Sequence, residues 1–187
     1  MEILLVIIVL IVVVGGFVAL LYNRLVAGKN QVENGWSQID VQLKRRHDLI
    51  PNLVEVVKDY MDYEQETLTQ VIAARSGAVN AAKGGSREDQ IKAEGILGAA
   101  LGKLFALSEA YPDLKANTNI ANLMEELSGT ENKIAFSRQF YNDSVLNQNT
   151  RVETFPANII AGMFKFALHP YFEVPEEEKA PIKVDLR

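Results

Sequence analysis

The sequence predicts an all-α protein: an N-terminal transmembrane helix continuing into an antiparallel up-and-down four-helix bundle, with a short fifth C-terminal helix. Three observations carry this. An uninterrupted apolar run of 19 residues, Ile3–Leu21, opens the chain. Apolar residues then recur at heptad-like intervals through most of the remainder. Strand signals such as β-branched alternation between hairpin turns are scarce.

The opening run is about as long as the ~20 residues a helix needs to cross a ~30 Å hydrocarbon core. A cleaved signal peptide is the alternative, but it wants a basic start, a shorter apolar stretch and a small-x-small cleavage site. Here the start is Met1-Glu2, and Leu20-Leu21-Tyr22-Asn23 offers no such site. Gly15-Gly16 either kinks the span, lets another helix approach or is simply tolerated in lipid. Arg24 and Lys29 follow the span and no Lys or Arg precedes it, so the positive-inside rule favours a cytoplasmic body over one on the outer side of a bacterial cell membrane.

Beyond the span, the length suits a single core. The domain reading is an anchor at 1–22, a helical bundle at 23–154, a short apolar helix at 155–172 and an extended acidic tail at 173–187. A net charge of −5 argues against nucleic acid as a partner, which wants a basic stripe. The absence of cysteine removes disulfides, thiol catalysis and Cys-zinc sites.

Four bundle helices follow in order. Helix one carries Leu25, Val32, Ile39 and Arg46 seven apart, interleaved with Trp36 and Leu43. Asp48 reads as the N-cap of helix two, with Pro51 in its first turn. That helix extends to about Ala82 with Leu53, Val57, Tyr60 or Met61, Glu64, Leu68 and Val71 or Ile72 on its seam. Lys83-Gly84-Gly85-Ser86 is a loop by composition. Helix three, from about Arg87 to Ala110, carries Ile91, Leu97, Leu101, Leu104 and Phe105, and Tyr111-Pro112 ends it. Helix four, from about Thr118 to Thr150, repeats Ile120, Leu127, Ile134 and Tyr141 at intervals of seven. Short connections make neighbours antiparallel.

Polar residues interrupt these stripes. Glu64, Glu131 and Arg138 sit on the seams and Asn132 beside one, and buried pairing that fixes register outweighs catalysis as their role. Gly28 and Gly35 lie seven apart within helix one, where each costs about 1 kcal/mol against alanine. Close approach of another backbone, within the bundle or between subunits, explains that cost. His47 and His169 lack the Glu-x-x-His spacing of di-iron bundles, and no His-Glu-x-x-His, nucleophile-elbow or phosphate-loop motif occurs. The expectation is no enzyme, no metal and no cofactor.

Several blocks carry a family resemblance: YNRLV at 22–26, NGWSQIDVQLKRRHDLIPNLV at 34–54, EAYPDLKAN at 109–117, ENKIAFSRQFYND at 131–143 and Phe155-Pro156. In this order they span almost the whole chain, which closely resembles the LemA family. The resemblance implies a single-span membrane protein with a helical-bundle body and no established enzymatic activity. It also links the chain to proteins that take part in forming magnetosome membranes, and to genes lying beside those for membrane metalloproteases. Two positions depart from the family pattern. Gly35 precedes Trp36 where alanine is common, and Tyr63 precedes Glu64 where histidine is frequent.

The anchor also serves as a ruler. In a straight helix, Arg45 lies ~35 Å past the bilayer at 1.5 Å per residue, far beyond the ~8–10 Å over which charge attraction to lipid decays. Lys44, Arg45 and Arg46 therefore pair with bundle carboxylates or form, with Tyr111, a distal partner surface. Conversely, the chain after Thr150 returns to the bilayer with FPANIIAGMFKFALHPYF, capped by Thr154. This stretch closes the bundle base, rests on lipid or contacts another subunit. The tail is acidic and extended, with Ile182, Val184 and Leu186 alternating. The functional expectation is a self-associating scaffold in membrane organisation or remodelling, with the lipid bilayer and further copies of itself as partners. Gly28, Gly35, Trp36, Phe155, Ile159, Ile160, Met163, Phe164 and Phe166 are its candidate assembly or lipid contacts. A monomeric adaptor for another membrane protein, such as a protease, is the alternative.

Overall fold

A computed structural model describes residues 1–58, 65–109, 111, 114 and 117–173. The extended helices among them are α1 (Glu2–Lys58), α2 (Gln65–Gly84), α3 (Arg87–Glu109), α4 (Thr118–Glu153) and α5 (Ala157–Met163). The chain is all-α, as its periodicity predicts, with no strand among the described residues. Tyr60, Met61 and Glu64 of the expected seam, Pro112 and the tail beyond Glu173 lie outside the described residues.

The described residues form two compact units. One takes Met1–Ile39 and Phe136–Tyr171; the other takes the described part of Asp40–Ala135, with Phe172 and Glu173 following. In the second unit, Ile50, Leu53 and Val57 of α1, Leu68 and Val71 of α2, Leu97, Leu101 and Leu104 of α3, and Ile120 and Leu127 of α4 bury a common core. Most of the apolar seam residues read from the sequence are buried, with Ile91 and Phe105 of α3 only partly so. Ile72, offered beside Val71, is instead half exposed. In the first unit, Leu25, Ile160 and Ala161 are buried together, with Val18, Leu21, Val152 and Phe166 packed around them.

Helix starts follow local chemistry. Between α2 and α3, the Ser86 Oγ accepts the Asp89 N–H at 3.2 Å and the Asp89 carboxylate accepts the Ser86 N–H at 3.1 Å. This reciprocal capping box satisfies two otherwise orphaned donors. Asn117 caps α4: its Oδ1 accepts from the backbone N–H of Asn119 at 2.9 Å and of Ile120 at 3.3 Å.

Three expected boundaries are corrected. The first is the break at Asp48–Pro51, where α1 in fact runs on to Lys58 with Pro51 inside it. Proline lacks the N–H that would bond the carbonyl four residues back. That orphaned carbonyl belongs to His47, and the Arg75 Nε of α2 donates to it at 2.7 Å. A tertiary bond thus replaces the missing helical one.

The second is the Thr154 cap. Thr154 Oγ1 donates to the Thr150 carbonyl at 2.8 Å, and Pro156 holds the N-cap position of α5 with no side-chain bond. The third is the extent of the fifth helix, which covers 7 residues of the 155–172 stretch, Ala157–Met163. It stops because Lys165 adopts φ 56°, in the left-handed region. Phe166 N–H then bonds the Ala161 carbonyl at 2.9 Å and Lys165 N–H the Gly162 carbonyl at 3.3 Å, the paired bonds of a Schellman turn. Beyond it the chain is an extended strap on α4. Asn149 exchanges bonds of 3.0 and 2.9 Å with the His169 backbone, and Tyr141 Oη donates to the Pro170 carbonyl at 2.8 Å.

Candidate functional site

Two features stand out beyond ordinary packing, one in each unit. In the first unit, Ile3–Phe17 are exposed throughout, and none of the most apolar stretch of α1 is buried. It is the one described helix long and apolar enough to cross a membrane. Where this stretch ends, α5 and its turn pack on it. Tyr22 of α1 lies 4.7 Å, ring centre to ring centre, from Phe164 and 5.9 Å from Phe166. Around these contacts an apolar rim stays open: Phe155 is 79% exposed and Met163 70%, with Ile159, Phe164, Leu168 and Tyr171 also exposed. Ile160 differs from its neighbours in being buried among Leu25 and Ala161, where it serves internal packing.

Higher in the same unit, α1 and α4 approach closely. A Cβ at Gly35 would stand 3.1 Å from the Tyr141 Cα, and one at Gly28 would overlap the Gln148 and Arg151 side chains. Gln148 is fully buried and its Nε2 donates to the Leu25 carbonyl at 3.1 Å. Trp36 is also buried, with its ring edge-on to Tyr141 at 5.3 Å. Gly28, Gly35 and Trp36 are thus occupied by packing within the chain, the intrachain form of close approach that their spacing allows. They leave little surface there for another subunit.

The second feature is a buried ion cluster in the second unit. Arg46 and Glu94 keep only 4% and 2% of their side-chain surfaces exposed, and the guanidinium Nη2 bonds the Glu94 carboxylate. Nη1 donates to Glu131 at 2.7 Å. His47 Nε2 lies 2.8 Å from the other Glu94 oxygen and, with Glu94 ionised, donates to it. Burial alone would lower the Arg46 pKa, but the Glu131 and Glu94 carboxylates outweigh it and hold the pKa above the ordinary arginine value. The guanidinium therefore remains charged. Nearby, Gln90 Nε2 donates to Asp40 at 2.9 Å.

This arrangement separates the basic trio. Successive residues point about 100° apart around a helix, so each cation meets a different environment. Lys44 pairs with Asp48 at 2.7 Å and Arg45 with Glu126 at 3.7 Å, both on the surface. Such exposed, solvent-screened pairs contribute little to stability. Arg46, expected on a partner surface, is instead an internal charge. Tyr111 packs partly buried against the core. Of the predicted polar network, Glu131 takes part, Asn132 is exposed and Arg138 belongs to the other unit. Sequence reasoning does not single out Glu94. Its one local signal is its position three before Leu97, on the face that Leu97, Leu101 and Leu104 bury.

Comparison with known proteins agrees with these features. The LemA family model matches residues 35–186. Magnetosome protein MamQ 1 of Paramagnetospirillum magneticum is 29% identical over 203 residues, covering 95% of this chain and 75% of that protein. MamQ of Magnetospirillum gryphiswaldense is 26% identical over 184 residues, covering 86% and 68%. Protein LemA of Metamycoplasma hominis is 26% identical over 160 residues, covering 86% and 72%. With its bare apolar helix and a match over most of its length, the chain is a membrane-associated protein that belongs to the LemA family.

Proposed function

We propose that this protein is a non-enzymatic, single-span scaffold that self-associates to organise or remodel the bacterial cell membrane. The observation that carries the reading is the open apolar rim of Phe155, Ile159, Met163 and Phe164, set where the apolar stretch of α1 ends. An exposed apolar surface this broad, continuous with a lipid-soluble helix, is stabilised by lipid or by another copy. Confinement to a plane raises the effective concentration of such copies, so weak lateral contacts suffice. The likeness to proteins named for the magnetosome supports a role in membrane organisation. Arg24 and Lys29 after the span favour a cytoplasmic body.

A second reading, a monomeric adaptor for another membrane protein such as a protease, draws on one observation. Phe136 and Phe140, one turn apart on α4, are 73% and 36% exposed. Measuring the mass of the intact protein in mild detergent and imaging it in vesicles separates the two. Oligomers that change vesicle shape support the scaffold. A monomer that leaves vesicles unchanged refutes it and favours the adaptor. A reporter fused after Arg187 reads the side of the membrane.

A further inference from the structure

The chain is acidic overall, with a net charge of −5, yet the end of the first unit that adjoins the apolar stretch is basic. Within residues 18–28 and 148–168, Arg24, Arg151 and Lys165 face a single carboxylate, Glu153. All three cations are exposed, and none has an ion-pair partner among the described residues. Arg24 follows the apolar run by three residues, about 4.5 Å along the helix. Arg151 reaches the level of Gly28, where its Nη1 lies 2.7 Å from the Cβ site. Lys165 sits between Phe164 and Phe166, the two rings on Tyr22. Aromatic rings and cations just beyond an apolar span are what the headgroup layer favours.

Lys165 adds an independent observation. It occupies the left-handed position of the Schellman turn at φ 56°. Glycine fits that position without strain, whereas an L side chain does not. No packing explains the lysine, because its side chain is exposed. The fold therefore tolerates local strain at the turn that carries Lys165 between the two residues whose rings meet Tyr22, and such strain collects at functional positions.

We infer that Arg24, Arg151 and Lys165 form a binding surface for anionic phospholipid headgroups, with Lys165 placed by the strained turn. The inference rests on the lipid-facing alternative of the proposed function, in which the α5 rim is a foot on the bilayer, and adds a headgroup chemistry to it. The occupant is the anionic bilayer around the apolar stretch, chosen by charge complementarity: three exposed cations with no ion-pair partner among the described residues lie in the segments that follow that stretch or pack against its end, where attraction to anionic lipid acts.

The test uses the full chain in phosphatidylcholine nanodiscs, with spin-labelled phosphatidylglycerol or phosphatidylcholine as the probe. The wild type should associate with phosphatidylglycerol in preference, and raised salt should weaken that preference. Lys165→Gly should reduce it about fivefold, as expected for one cation near a charged surface, while melting no lower than wild type because glycine relieves the turn. Lys165→Arg should retain the preference. An unchanged preference in Lys165→Gly overturns the inference. A second readout separates it from the foot itself: the chain has no cysteine, so Ile159→Cys accepts a unique label. If that label lies in lipid but phosphatidylglycerol is not preferred, the headgroup inference fails and the foot stands. If the label meets water, or is shielded only at high protein density by a second copy, the foot fails and the inference with it.

Discussion

Replacing Glu94 by Gln tests the buried ion cluster most directly. The substitution preserves volume and shape but removes a carboxylate that keeps only 2% of its side-chain surface exposed. Arg46 would then retain Glu131, whose side chain is 35% exposed, as its charged partner. Its Nε is already buried without an acceptor among the described residues, so the guanidinium has little further compensation to draw on there. His47 would lose the carboxylate oxygen 2.8 Å away. Removing one partner of a buried pair costs about 3–5 kcal/mol, a large part of the ~5–15 kcal/mol stability of a whole protein. For a chain of this size that corresponds to a fall in melting temperature of roughly 6–20 °C. Arg46→Met should be similarly destabilising, because it strands Glu94. The double variant Arg46→Met/Glu94→Leu removes both buried charges and should be more stable than either single variant by about 2 kcal/mol or more. Thermal unfolding of the full chain in mild detergent, followed by circular dichroism, measures all three. If each single variant melts within ~1 kcal/mol of wild type, or if the double variant is as unstable as the sum of the singles, the cluster is not the buried charge centre described.

Three further outcomes follow from the geometry. Arg75→Met should cost about 1–3 kcal/mol by leaving the His47 carbonyl unsatisfied, and less in a Pro51→Ala background where the helical N–H is restored; equal costs in both backgrounds would refute the replacement bond. Gly35→Ala should be less stable than Gly102→Ala by about 1–3 kcal/mol, because pressure on the Tyr141 backbone offsets the helix-propensity gain that Gly102→Ala, with open space around its Cβ position, receives in full; equal denaturant midpoints for the two would refute the close approach. Side-chain and backbone hydrogen bonds with Ser86 lower the Asp89 pKa, so the cap's pH-linked contribution is present above the ordinary carboxyl range and disappears as pH falls through the lower folded value. Asp89→Asn should therefore melt lower than wild type near neutral pH, and the difference should shrink below about pH 4; a gap that stays constant into acid would exclude the carboxylate as its source.

The helical class, the bare apolar stretch of α1 and most of the core are legible in the sequence because they depend on local periodicity and on transfer from water. Leu25, Val32, Ile39, Ile120, Leu127, Ile134 and Tyr141 repeat at sevens, and all are buried. Gly28 and Gly35 signal a close approach, but their spacing is equally compatible with a neighbouring subunit; the juxtaposition of α1 with α4 decides for the same chain. The family blocks likewise lie in the sequence, and the match over residues 35–186 bears out that resemblance.

Tertiary structure decided the pairings, which no local pattern encodes. Pro51 reads as a helix start until Arg75, 24 positions later, supplies the bond that its ring removes. Arg46 resembles its exposed neighbours Lys44 and Arg45 until α3 brings Glu94, 48 positions away, against it. The apolar stretch 155–172 reads as one helix, yet Lys165 turns left-handed and Asn149 binds the His169 backbone, so the rest becomes a strap. Burial is set by the average polarity of a helix face and can be read from composition. The partner of a buried charge or an orphaned carbonyl depends on which helices meet, and that is fixed only when the chain folds.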